Sequence, residues 1–177
     1  MNDSDYIVPA RSWAEIREVS DSLRSRFLPN GTALFPIMEL LERVLDHRLD
    51  WLRFEVGFKE EMGTAEGLTC PKGSFIRLRE DVYDRAWLGK GRDRFTAAHE
   101  LGHWILHTNI PLARSTRGDG TPQYCLAEPQ ANQFAAELLM PLSFIKLTDT
   151  EDDLMKRHGV SRIAAKNRLK YARKIQI

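Results

Sequence analysis

Arg94-Phe95-Thr96-Ala97-Ala98-His99-Glu100-Leu101-Gly102-His103-Trp104-Ile105-Leu106-His107 is the most informative string in the chain. Its spacing predicts a helix over 94–107. Ala97, Ala98, Leu101, Trp104 and Ile105 form an apolar side. His99 and His103 stand at i and i+4, so they share a face, with Cβ atoms about 5–6 Å apart. Two ring nitrogens so placed can converge on one metal at roughly 2.0–2.1 Å. Glu100 lies one step round the helix. It can reach an attacking water without being a ligand, which suits the general base of a metalloprotease. Composition alone produces this His-Glu-x-x-His pattern about 0.01 times per chain, so chance is a poor explanation.

Two histidines leave a catalytic zinc site one protein ligand short. The position six residues after His103 is Asn109, so no third histidine follows in that register. His107 lies two helical turns from His99, too far to share one metal easily. It reads instead as a helix-end histidine serving the last carbonyls. A second helix is predicted over 128–140, ending before Pro141. Its first residue, Glu128, is either the third ligand or an acidic residue favoured by the helix dipole, and the residues alone leave both open. Ala131 and Ala135 on the same side allow close approach to the first helix, and Asn132 can hydrogen-bond a ligand. Glu137 falls on the opposite side and is expected to be solvated. Cys125 is an alternative ligand or inhibitor of the metal, although a small buried cysteine is the commoner case. Tyr124, His107 and Tyr83 are candidate donors to an oxyanion.

The flanking sequence supplies the scaffold. An amphipathic helix is predicted over 10–28, capped by Ser12, with Trp13, Ile16, Leu23 and Phe27 on its apolar face and a stop at Pro29-Asn30-Gly31. A second follows over 36–47, with Ile37, Leu40, Leu41, Val44 and Leu45 inward. Strands are expected over 49–58 and 75–79, with a loop over 63–69, a turn at Pro71-Lys72-Gly73 and a break at Gly89-Lys90-Gly91. Residues 111–124 read as a mobile loop. Short helices close the chain over 150–158 and 161–174, with Gly159 as C-cap and Ser161 as N-cap.

The 177 residues, 42% hydrophobic and 29% charged, have globular composition. No apolar run approaches the roughly 20 residues of a membrane span. The first residues carry Asp3 and Asp5 where a signal peptide would be basic. Two cysteines, Cys70 and Cys125, make no disulfide framework, so reduced thiols in a cytoplasm are expected. Eight of the 26 Lys and Arg fall between Leu154 and Ile177, where there is no Asp or Glu. An acidic body with a basic tail suggests two surfaces. The tail's helix-turn-helix outline admits a DNA- or partner-binding module, and a solvated helix face explains the same residues.

The string 94–107 resembles the active-site helix of the ImmA/IrrE metallo-endopeptidases. Glu128-Pro129-Gln130-Ala131-Asn132-Gln133-Phe134-Ala135-Ala136-Glu137-Leu138-Leu139-Met140-Pro141 resembles their second motif. His158-Gly159-Val160-Ser161, with Ala164, Ala165, Arg168 and Leu169, is similar to the small unit that follows. The likeness spans about residues 70–172. It implies an α+β, zincin-like domain over 1–145 with a small sheet and two metal-ligand helices, then a small basic helical unit over 146–177. It also implies Zn²⁺ held by His99, His103 and Glu128, with Glu100 as base. The implied substrate is a helix-turn-helix repressor or antitoxin, cut to relieve repression. Pro129, directly after Glu128, departs from the pattern and puts Glu128 at the very start of its helix. These 177 residues leave no room for an attached sensor domain, so none is expected. A non-proteolytic zinc protein that binds its partner, as in a toxin–antitoxin pair, is the alternative.

Overall fold

The computed structural model describes residues 4–28, 31–116 and 120–175. The expected stop at Pro29-Asn30 and the acidic start at Met1–Asp3 lie outside them. In chain order the elements are β1 (Ser4–Ile7), α1 (Trp13–Phe27), a π-helical segment (Glu39–Arg48), β2 (Arg53–Gly57), α2 (Lys59–Met62), β3 (Gly67–Thr69), β4 (Phe75–Arg79), α3 (Glu80–Trp87), α4 (Gly91–His107), β5 (Ala113–Thr116), α5 (Ala127–Leu139), α6 (Glu151–His158) and α7 (Arg162–Ile175). Single 3₁₀ turns at Gln123–Cys125 and Leu142–Phe144 flank α5. Among the described residues no helix is long and apolar enough to cross a membrane.

Local chemistry explains where the helices start and stop. Ser12 caps α1 through a reciprocal box with Glu15: the Glu15 N–H donates to the Ser12 hydroxyl, and the Ser12 N–H donates to the Glu15 carboxylate. Thr150 and Asp153 do the same for α6. Gly159 ends α6 in the left-handed conformation, φ 62°, which glycine adopts without a Cβ penalty. The segment expected as an α-helix over 36–47 is wound as a π-helix, yet its apolar face is the expected one: Ile37, Leu40, Leu41 and Leu45 are buried.

Three expectations change in the sheets. The strand expected over 49–58 shortens to β2, because Asp50 turns the chain with φ 51°. The loop expected over 63–69 ends in β3, which pairs antiparallel with β4, Leu68 opposite Arg77. The segment read as a loop over 111–124 contains β5, which pairs antiparallel with β1, Ile7 opposite Ala113. The central sheet has the order β2-β4-β3, with β2 and β4 parallel. It lays Ile76 and Leu78 on α4.

The core draws on α1, the π-helical segment, β4 and α3 to α7. Ile16, Phe35, Leu41, Ile76, Leu78, Leu101, Phe134 and Leu138 are fully buried, each contributing roughly 1.5–3 kcal/mol. Leu154, Ala165, Leu169 and Ala172 of the last two helices, and Val160 between them, enter the same cluster. Arg94 on α4 clasps that end, donating to the carbonyls of Gly159 (3.0 Å) and Phe35 (2.8 Å).

Candidate metal centre

α4 and α5 cross closely because their contact is made of small residues. A Cβ on Gly102 would stand 3.2 Å from the Ala131 Cα and 3.1 Å from the Phe134 ring. Glycine is therefore needed there to hold the spacing. With Ala131 and Ala135 buried against it, the start of α5 is brought over the His99–His103 face of α4.

The result is a three-membered cluster. His99 Nε2 and His103 Nε2 are 2.9 Å apart. Glu128 Oε2 is 3.3 Å from His99 Nε2, and Glu128 Oε1 is 3.2 Å from His103 Nε2. Four ligands arranged tetrahedrally at 2.0–2.1 Å from zinc stand about 3.3 Å from one another, so these donors already sit at near-tetrahedral spacing. Two imidazoles and one carboxylate suit a borderline cation and leave a coordination position open to solvent. The three ligand atoms lie within 4.8 Å of one another, and neither cysteine joins them. Pro129 is accommodated inside the first turn of α5, and Glu128 points back to the histidines.

The electrostatics are mutual. The hydrogen bonds from His103 and then His99 hold the Glu128 carboxyl well below the ordinary carboxylate range. Burial opposes charge on His99, but Glu128, followed by Glu100, outweighs it and raises that ring. Each histidine is also held from behind: His99 Nδ1 meets Asn132 Oδ1 at 3.1 Å, and His103 Nδ1 meets His107 Nδ1 at 3.1 Å.

Glu100 is buried beside the cluster and is not one of the three. The Thr69 hydroxyl lies 2.7 Å from its Oε2 and 3.0 Å from its carbonyl oxygen. Gly67 makes room for it: a Cβ there would lie 2.5 Å from Glu100 Cγ. Neither Thr69 nor Gly67 was a sequence candidate, because both stand on the three-residue β3, which no periodicity marks. A cleft of about 240 Å³ opens over the site, lined by Glu100, His103, Glu128, Thr69, Cys70, Leu68, Tyr6 and Leu112.

Of the other candidates, His107 borders the same cleft and the rest fall elsewhere. Tyr83 donates to Glu42 on another face of the molecule, beside Arg43 and His47, so it is no oxyanion donor. The Tyr124 side chain does not line the cleft; it borders a separate surface hollow with Trp13 and Glu15. Cys125 uses its carbonyl to accept from the Val8 N–H. His107 does not cap its helix as expected. It is buried, 3.1 Å from Gln130 Oε1, and burial pulls its ring down to about 4. Glu137, expected in solvent, is fully buried and paired with Arg168. Its side of α5 faces α1 and α7 rather than water.

A family model described as the IrrE N-terminal-like domain, Peptidase_M78, matches residues 54–170. No curated protein matches the chain.

Proposed function

The chain belongs to the IrrE N-terminal-like family of peptidases (Peptidase_M78), and from that premise we propose that it is a zinc-dependent endopeptidase whose substrate is a helix-turn-helix repressor or antitoxin. The observation that supports this most is the convergence of His99, His103 and Glu128 at ligand spacing, with the carboxylate of Glu100, outside the cluster and held by Thr69, alongside. Zinc in that site supplies a Lewis acid that activates water and polarises the scissile carbonyl.

The protein residues do the rest. Glu100 accepts a proton from the attacking water as its oxygen bonds to the carbonyl carbon. The same carboxyl then hands that proton to the amine nitrogen as the C–N bond breaks. The Thr69 hydroxyl fixes which oxygen of Glu100 is free for this exchange. Leu68, Tyr6 and Leu112 give the cleft an apolar wall against which an extended peptide can lie.

The substrate class rests on the likeness of three sequence motifs. The tail favours a protein partner over DNA, since several of its cations are already engaged. Arg157 pairs with Asp149 (2.6 Å), Arg162 with Asp152 (2.5 Å), and Arg168 with Glu137. We place the reaction in the cytoplasm, where the free Cys70 and Cys125 stay reduced.

The test pairs the zinc-loaded chain with a helix-turn-helix repressor encoded beside it and reads fragments by mass spectrometry. Glu100→Gln should keep zinc and lose cleavage by at least about 100-fold, the scale of a general base. Wild-type turnover by Glu100→Gln, or an intact repressor after incubation with the wild type, would contradict the proposal.

A further inference from the structure

The chain has four tyrosines, and one of them stands at the metal cleft with its hydroxyl unused. Tyr83 donates to Glu42, Tyr124 borders another hollow, and Tyr171 accepts from Arg17 at 2.9 Å. Tyr6 lines the cleft together with Glu100, His103 and Glu128. It is 40% exposed, and its hydroxyl makes no hydrogen bond among the described residues.

The main chain fixes where this side chain stands. Asp5 Oδ1 accepts from the Tyr6 N–H (2.7 Å) and from the Glu128 N–H (3.2 Å), so both amides converge on one oxygen. Ile7 bridges Leu126, and the Val8 N–H donates to the Cys125 carbonyl at 2.9 Å. On its other side β1 is held by β5, with Tyr6 opposite Arg114. Residue 6 is thus clamped beside the first residues of α5. Alternation along the strand turns Tyr6 to the opposite face from Asp5 and Ile7.

The other side-chain donors of the cleft are already committed. The Thr69 hydroxyl donates to Glu100, and the Thr108 hydroxyl donates to the Trp104 carbonyl at 2.8 Å. His107 is 5% exposed, and its two ring nitrogens each lie 3.1 Å from a partner, His103 and Gln130. Gln130 in turn donates to the Pro9 carbonyl at 3.0 Å. Cys70 accepts from Ser74 at 3.1 Å, and a thiol is a weak donor in any case. A phenol is a good donor with an apolar body, so the Tyr6 ring can serve as cleft wall while its tip stays polar.

We propose that Tyr6 is a catalytic residue whose hydroxyl donates a hydrogen bond to the scissile carbonyl oxygen as negative charge develops on it. This rests on the peptidase and metal-site reading. As the attacking oxygen bonds to the carbonyl carbon, the carbonyl π pair moves onto oxygen, and Tyr6 donates to that oxygen while keeping its proton. The pair returns to re-form C=O as the C–N bond breaks. A donor aimed where charge develops stabilises the transition state more than the ground state. Base and donor reach the cleft from different elements: Glu100 is anchored to β3 through Thr69, and Tyr6 comes from β1 along the start of α5. The first strand of the chain is thereby part of the active site.

The experiment compares the full chain with Tyr6→Phe, which removes only the hydroxyl. Metal per chain is measured by elemental analysis and should be unchanged. Inorganic phosphate, a tetrahedral oxyanion, is titrated into the cobalt-loaded protein and read in the visible spectrum, with azide as the anion that carries no oxygen. Phosphate should bind the variant about 10–100-fold more weakly, the scale of one hydrogen bond to a charged group, and azide equally well. Cleavage of the helix-turn-helix repressor encoded beside the chain should lose about 10²–10³-fold in kcat with KM little changed. Unchanged phosphate affinity, or unchanged kcat, in Tyr6→Phe would overturn the proposal. Loss of metal in Tyr6→Phe would make the hydroxyl a ligand instead of a donor and overturn it equally. A wild type that binds no zinc would sink the metal-site reading and the donor with it. Zinc together with Tyr6-dependent phosphate binding, but no cut repressor, would sink the substrate class alone and leave the donor standing.

Discussion

Glu128 and Glu137 stand on one helix, about 14 Å apart along its axis. The Glu128 side chain is 56% exposed and faces two histidines; that of Glu137 is 0% exposed and faces two arginines, Arg168 and Arg17. At the open end the carboxylate has a free solvent side and a cation-ready pair of nitrogens. At the closed end the carboxylate is enclosed and held by Arg168 and Arg17. Arg168 binds Glu137 and the Met140 carbonyl, and Arg24 binds the Leu138 carbonyl at 2.6 Å. Guanidinium groups on the last carbonyls also suit the negative end of the helix dipole. The same residue type serves chemistry at one end and architecture at the other. What differs is the surroundings: small residues and an open cleft at one end, two arginines and two packed helices at the other.

The contrast can be broken most sharply at the closed end. Glu137→Ala leaves Arg168 charged and buried without its partner, so stability should fall by about 3–5 kcal/mol. Zinc per folded chain should stay at the wild-type value. Urea unfolding together with elemental analysis checks both, and a loss of zinc at unchanged stability would mean the two ends are not separable.

A smaller effect comes from His158, which packs at the same end against Phe144 and the Ala33 carbonyl. Burial, followed by the nearby charges of Arg157 and Arg24, pushes its ring down to about 4, against a donated bond to Ala33 that works the other way. The unfolded chain therefore binds a proton between about pH 6.5 and pH 4 that the folded chain refuses. Stability is fully present above pH 6.5 and falls by about 3 kcal/mol as pH drops through that window. In His158→Gln that share of the acid limb should vanish, read as the slope of unfolding free energy against pH. An unaltered slope would place the acid sensitivity elsewhere.

The open end was largely legible in the sequence because its signals are local. His99, Glu100 and His103 declare themselves through helical spacing, whereas the residues alone left Glu128 open between ligand and helix-start acid, and the likeness of the second motif decided it. Helix limits were readable wherever a cap stood, as at Ser12 and Gly159. The closed end was not legible, because Glu137 is buried by Arg168, a residue 31 positions away. The same limit hid Thr69 and Gly67, whose strand is three residues long and exists only through pairing with β4. It hid the link from His107 to Pro9 through Gln130, which spans 121 positions in its last step. Long-range polar pairs leave no periodic trace, so sequence pattern alone reads these residues as solvated or as helix ends.

His99, His103 and Glu128 are proposed to form one three-ligand zinc site. Zinc per chain after stripping and reloading, measured by elemental analysis for the wild type and for Glu128→Ala, tests it directly. About one zinc is expected in the wild type, since one three-ligand set with an open fourth position binds a single ion, with markedly weaker retention in the variant and its melting point little changed. No stoichiometric zinc in the wild type, or equal retention by Glu128→Ala, would contradict it.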